Sequence, residues 1–347
     1  MAPTHRNVAL RAASTRGIGR GNLVSVACLV AAAVSGCAPV PATDTPLRLP
    51  PDVATVGDGR LPIQQLFASY LPLVEKGWQV DVVAESQPPG TTIALPIVAL
   101  RSPRPGPAVW VLTGIHGEEP AGPNAVAAAI DDLAALGDTL PVVLLPLLNP
   151  QGYARSWRYL DIPTFSDTQD GQSVGDSSHL LPDSEQPGRA RAAAASSPEA
   201  EALTRYVLRM SASYPPRVSI DLHEDDLVAA GYVYSQGELG VDDPLAREAV
   251  AVLGEHGIAI QLGGETRFGE LIEGGIIGPV TDSSIDELFS ARELVVDGRV
   301  QPGPAAATVL VFETPAKDLP LERRVAAHLA LLRRLAERIA APHEREP

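Results

Sequence analysis

Three runs of this chain, AVWVLTG (108–114), PVVLLPLL (141–148) and TVLVFE (308–313), carry scarcely a polar side chain before their ends. An amphipathic helix or a half-exposed strand would interleave polar positions. Runs this short and continuous read as strands covered on both faces. Five further strand candidates, at 80–85, 92–100, 217–222, 231–235 and 257–262, alternate with helix candidates at 63–76, 123–136, 198–210, 244–256, 284–292 and 321–340. The expected fold is therefore a single α/β domain of three layers, with helices on both faces of a mixed, roughly eight-stranded central sheet. Residues 161–195, rich in Ser, Gly, Asp, Pro and Ala, form a long loop, a feature that in compact domains is functional or mobile.

The ends of the apolar runs carry the chemistry. The first ends in GIHGEEP, where His116 lies between Gly114 and Gly117 and Glu119 follows three residues later. Open α/β sheets place their ligands at the carboxyl ends of strands, and a histidine and a carboxylate three apart on one turn can share a metal ion. Alone, the pair reads equally as a capping carboxylate beside a surface histidine. The segment RVSIDLHEDD brings a second candidate, His223, and TVLVFETP brings Glu313. A catalytic zinc site needs three protein ligands, an open position for water and a base. His116, Glu119 and His223 fit the first role and Glu313 the last. A carboxylate closing so apolar a strand costs several kcal/mol, as an order of magnitude, unless something pairs with it. Asp221, two residues before His223, is expected on the opposite face of the strand; orienting the histidine and a plain polar role at the sheet edge both stay open.

In this order and spacing, GIHGEEP, NPQGYARSWRY (149–159), DLHE, SSIDELF (283–289) and FETP resemble the zinc carboxypeptidase family, including its branch related to succinylglutamate desuccinylase and aspartoacylase. The match spans roughly 200 residues. The resemblance implies a mixed eight-stranded sheet, a Zn2+ cofactor and hydrolysis of an amide bond. It also implies that Arg158 polarises the scissile carbonyl. Asn149, Arg155 and Asp176 are the expected substrate contacts. Two features depart from the family pattern. Where the family carries an Asn-Arg pair that grips a terminal carboxylate, this chain reads DGQSVGDSSHLLPD, with Asp176 near the expected position. Where the family places a substrate-contacting tyrosine, it reads EGGIIGPV, with Gly278 in its stead. Ordinary carboxypeptidase specificity is thereby in question.

The first 36 residues differ in kind. Arg6, Arg11, Arg16 and Arg20 stand without an acid among them, and the apolar run LVSVACLVAAAV (23–34) precedes VSGC. This reads as an export signal, too short for a comfortable membrane span. Its ending resembles the lipobox of bacterial lipoproteins, which implies cleavage before an acylated Cys37; a plain cleaved signal peptide is the alternative. Residues 37–60, with several prolines, are expected to be an extended tether, and 61–342 the catalytic domain. The address implied is the cell envelope, with membrane contact through the Cys37 lipid alone. A net charge of −15 argues against nucleic acid, whose phosphates need a basic face. The function expected is zinc-dependent hydrolysis of a peptide-type bond, on peptides or peptidoglycan-derived stems. The alternatives are a deacylase of small N-acyl amino acids and a non-catalytic binding lipoprotein on the same fold.

Overall fold

A computed structural model describes residues 46–340. The proposed signal peptide, Cys37 and the first part of the tether lie outside the described residues. The sheet is mixed and has ten strands. Its centre is parallel: β4 (Val142–Leu145), β3 (Ala108–Thr113), β5 (Pro216–Asp225) and β12 (Thr308–Pro315) run side by side in one direction. Antiparallel strands β1 (Gln79–Ser86) and β2 (Leu95–Arg101) flank one side, and β6 (Tyr232–Ser235) adjoins β12 antiparallel on the other.

Successive side chains of the central strands divide between two cores, as a period of two demands. Val109 and Val111 join a core with helices α1 (Ile63–Ser69), α2 (Leu71–Glu75), α3 (Ala121–Ala128), α4 (Ile130–Thr139), α7 (Pro244–Glu255) and α9 (Leu321–Ala340). Trp110 and Leu112 face a second core closed by α6 (Pro198–Ser211) and α8 (Ile285–Ser290). Both faces of the centre are thus sealed, and functional groups are left the strand ends.

Several elements differ from expectation. Residues 257–262 form no strand; Ile260 makes a single bridge to Gly231, and Ile258 is buried by packing instead. The sheet gains its outer edge from three short strands, β7 (Gly263–Glu265), β8 (Leu271–Glu273) and β9 (Ile276–Ile277), and β10 (Glu293–Val296) pairs with β11 (Arg299–Pro302) as a separate hairpin. The expected helix 63–76 is broken at Tyr70, with Pro72 at the start of α2, and 123–136 is broken at Ala129. The tether's described part has no regular structure, yet it is packed: Leu47 and Val53 lie against the first core, Pro50 is buried, and Gln64 donates to the Pro50 carbonyl at 2.9 Å.

Candidate metal centre and cleft

The parallel strands end together, and their ends hold the centre. In register, His223 of β5 stands beside Glu313 of β12. His116 and Glu119 occupy the turn between β3 and α3, where Gly114 takes a left-handed φ of 69°. Gly117 has no room for a side chain, since a Cβ there would lie 2.0 Å from the Gly152 carbonyl carbon. Gly152 belongs to α5 (Pro150–Arg155), so the histidine loop is pressed against that helix. Arg60, 5% exposed, locks the same contact by donating to the Gly117 carbonyl at 2.9 Å and to the Tyr153 carbonyl.

The two imidazoles converge on one carboxylate. His116 Nδ1 is 2.8 Å from Glu119 Oε1, and His223 Nδ1 is 3.0 Å from Glu119 Oε2. One donor atom from each residue lies within 4.8 Å of the others, and Glu119 and His223 are buried. Burial, helped by the Arg158 charge, lowers the His116 pKa to about 4, so its ring is neutral and free to donate a lone pair. Burial opposes the Glu119 carboxylate, but His116 and His223 outweigh it and hold its pKa well below the ordinary value. A His, Glu, His set with two nitrogen donors and one carboxylate is a zinc donor set.

Around it the remaining groups are ordered. Asp221 lies on the same face as His223, because residues two apart on a strand share a face. Its Oδ2 is 3.1 Å from His223 Nε2, so the expected turn to the opposite face does not occur. Glu313 faces the cleft with Oε2 lacking a hydrogen-bond partner, and burial raises its pKa well above the usual carboxylate value. Arg158 donates to both Glu118 and Glu119 at 2.9 Å, lies 5.7 Å over the Tyr159 ring and lines the cleft. Glu224, which turns to the other face, accepts from the Ala121 N–H at the start of α3 at 2.7 Å and pairs with Arg324 of α9. It is structural.

Two of the expected substrate contacts are corrected. Asn149 is fully buried and caps α5, accepting from the Gly152 N–H at 2.8 Å, so its carboxamide is unavailable to a ligand. Arg155 lies 4.1 Å over the Trp157 ring and donates to the carbonyls of Gln151 and Leu160; it does not line the cleft. Asp176 does line the cleft, while its Oδ1 accepts from the Ser178 N–H at 3.0 Å. The cleft consists of two adjoining lobes of about 700 Å³ each, and both are walled by His116, Arg158, His223 and Asp286. A larger cavity, about 1060 Å³, lies against residues 188–198 and touches none of the metal-centre residues. Asp286 and the lobe-forming Tyr234, Glu270 and Asp282 went unassigned in the sequence. SSIDELF marked the first as part of a motif without giving it a role, Tyr234 lay in an expected strand without an assigned role, and Glu270 and Asp282 lie in segments with no periodic signal.

This centre, at the carboxyl edge of a mixed α/β sheet, defines a metal-dependent hydrolase. The chain belongs to the zinc carboxypeptidase family, whose model matches residues 79–291. The match includes His116, Glu119, Arg158 and His223 and stops before Glu313. The protein is accordingly a zinc metallocarboxypeptidase-like hydrolase. Among curated proteins none matches this chain. Among solved structures it is similar to a candidate metallopeptidase of Shewanella amazonensis SB2B (TM-score 0.61, 21% identity, covering 81% of this chain and 94% of that one). A second, from Shewanella baltica OS155, gives a TM-score of 0.59 at 22% identity, covering 78% and 91%. A carboxypeptidase A of Helicoverpa armigera gives 0.51 at 12% identity, covering 83% and 75%. At these identities the likeness is one of fold.

Proposed function

We propose that the chain hydrolyses a peptide-type amide bond with one zinc ion held by His116, Glu119 and His223. The observation that carries this reading is the convergence of two imidazole Nδ1 atoms on the Glu119 carboxylate, with Glu313 beside them on the next strand. Zinc bound there would polarise the scissile carbonyl and lower the pKa of water from about 16 toward about 7. Glu313 takes the attacking water's proton and passes it to the leaving nitrogen. Arg158 supplies positive charge where the carbonyl oxygen becomes negative. Asp221, 3.1 Å from His223 Nε2, would fix that ring and leave Nδ1, on the Glu119 side, to hold the metal.

Metal analysis of protein purified without chelator should find about one equivalent of zinc, and His223→Ala should lose most of it. Full retention in that variant would remove His223 from the ligand set. Glu313→Gln should keep the zinc and lower kcat by on the order of 10² to 10⁴. Loss of zinc there would make Glu313 a ligand. A protein that binds zinc yet cleaves nothing in a panel of peptides, stem peptides and N-acyl amino acids would be a binding protein. The deacylase reading draws on one observation: Phe268 and Phe165, 5.8 Å apart, both line one lobe of the cleft, and two rings there would favour small substrates.

We also infer that Cys37 is acylated and tethers the enzyme in the cell envelope, which suits peptide or peptidoglycan-derived substrates. Support comes from the arginine-bearing, then apolar N-terminus and its VSGC ending. Cys37→Ser should block processing by lipoprotein signal peptidase and abolish acyl labelling; a normally cleaved, unlipidated product would indicate a plain signal peptide.

A further inference from the structure

Arg158 is held at one end of its guanidinium. Nη1 donates to Glu118 Oε1 and to Glu119 Oε1, each at 2.9 Å, while Nε is buried without a hydrogen-bond partner. The two carboxylates are not equally free to hold it. Glu119 Oε1 also lies 2.8 Å from His116 Nδ1, and Glu119 Oε2 lies 3.0 Å from His223 Nδ1 and accepts from the Glu224 N–H at 3.0 Å. Glu118 has no such second duty. Arg158 is the one side chain it bonds among the described residues, and its Oε2 is buried without a partner. A carboxylate that is largely covered, here 21% exposed, is costly unless paired, and Arg158 is the group that pairs with it.

The backbone brings these two side chains together. Gly117 donates its N–H to the Trp157 carbonyl at 3.0 Å, which ties the residues that precede Glu118 and Arg158, and the Arg158 N–H is fixed by the Pro163 carbonyl at 2.8 Å. Backbone bonds do not fix the far end of a long side chain. The bonds at Nη1 do that, and two effects then oppose each other. A donor already aimed at a developing oxyanion stabilises it without reorganisation, whereas a nearby carboxylate offsets the arginine's charge. The undivided hold of Glu118, and the Nε left open for an acceptor, favour the first.

We propose that Glu118 is the positioning residue for Arg158, holding its guanidinium by Nη1 so that the remaining N–H groups meet the carbonyl oxygen of a bound amide. Its effect on rate rests on the hydrolase reading, and guanidinium dynamics separates the two. Zinc-loaded enzyme labelled with ¹³C,¹⁵N-arginine gives an Arg158 signal, assigned by its loss in Arg158→Lys. Rotation of that guanidinium should be hindered in the wild type and at least about tenfold faster in Glu118→Ala, the scale of one charge-assisted hydrogen bond. With about one equivalent of zinc retained, Glu118→Ala should lower kcat by about tenfold or more and leave KM within about twofold, and Glu118→Gln, which keeps an acceptor, should lose less. Added to Arg158→Ala, Glu118→Ala should cost less than about twofold further, because the group it positions is gone. Unchanged rotation in Glu118→Ala, or losses that multiply in the double variant, would overturn the assignment. So would a kcat that rises, since the carboxylate would then only offset the arginine's charge, and so would loss of zinc, which would make Glu118 a support of the metal site. A wild type that cleaves no amide while Glu118→Ala frees the guanidinium overturns the hydrolase reading and supports the positioning; cleavage with unchanged rotation does the reverse.

Discussion

Gly117 and Arg60 decide where His116 points, although neither carries chemistry. Gly117 meets the Gly152–Tyr153 backbone with no space for a methyl group, and Arg60 ties both segments together through their carbonyls. Gly117→Ala must therefore push the histidine loop away from α5. Its expected cost is about 1–3 kcal/mol, the usual range for overpacking a tight contact, read from urea denaturation. Zinc retention should fall with it, because a ligand displaced by a fraction of an ångström loosens the site. A Gly117→Ala protein of wild-type stability and zinc content would show that the loop has slack the contact does not allow. Gly117 was legible as a turn residue, but its clash partner lies 35 positions away and was not. Asn149 and Arg155 failed as substrate contacts for a related reason. A motif names residue types in order, whereas helix capping and cation–π stacking depend on where the side chain turns.

At the scale of elements, α9 shows how a bland helix supports the centre. Its Arg324 pairs with Glu224, and its His328 is fully buried, with Nε2 3.0 Å from the Thr314 hydroxyl. Thr314 directly follows Glu313 on β12, so the helix pins the strand end that carries Glu313. Burial lowers the His328 pKa to about 3, reinforced by the positive field of Arg324. The unfolded chain, with an ordinary histidine pKa near 6.5, therefore takes up a proton that the folded protein refuses. Stability from this residue is fully present above about pH 6.5 and is lost as pH falls toward 3, at about 1.4 kcal/mol per pH unit. His328→Gln should flatten that slope in denaturation series between about pH 6.5 and 4.5; an identical slope would mean another group sets it. The sequence placed this histidine on an amphipathic helix, and the helix is there. That its ring turns inward onto Phe312, 5.1 Å away edge-on, is a matter of packing.

Across the whole molecule, two segments far apart in sequence meet at the cleft. Arg267, in the turn between β7 and β8, reaches Asp167 of the long loop at 2.6 Å and lies 4.5 Å over the Phe165 ring. Phe268 is 62% exposed and lines both lobes. The contact thus holds together Phe165 and Phe268, which line the lobe that His116 and His223 also line. Arg267→Ala should raise kcat/KM for long peptides relative to short ones, by less than about fivefold because an exposed pair is weak. A change in both by the same factor would place the effect on the chemistry and not on access. The reading of 161–195 as a functional loop is consistent with this contact. The hairpin that completes it was not legible, since GGETRFGELIEGG has neither the length nor the alternation of an ordinary strand pair.

The sequence by itself determined the central strands of the sheet and most of its helices, because strands buried on both faces must be apolar throughout and helices must carry an apolar stripe, but not the short strands at the sheet's outer edge. It also determined which polar residues stand at or just beyond the ends of those strands, among them His116, Glu119, His223 and Glu313. Only the tertiary structure decided that Arg158 is held by two carboxylates, that Asn149 and Arg155 are turned away from the cleft, and that Glu270 and Asp282 line it. These relations join positions tens to a hundred residues apart, or depend on which way a side chain turns. A pattern read along the chain has a reach of one helical turn or one strand step, and neither spans that distance.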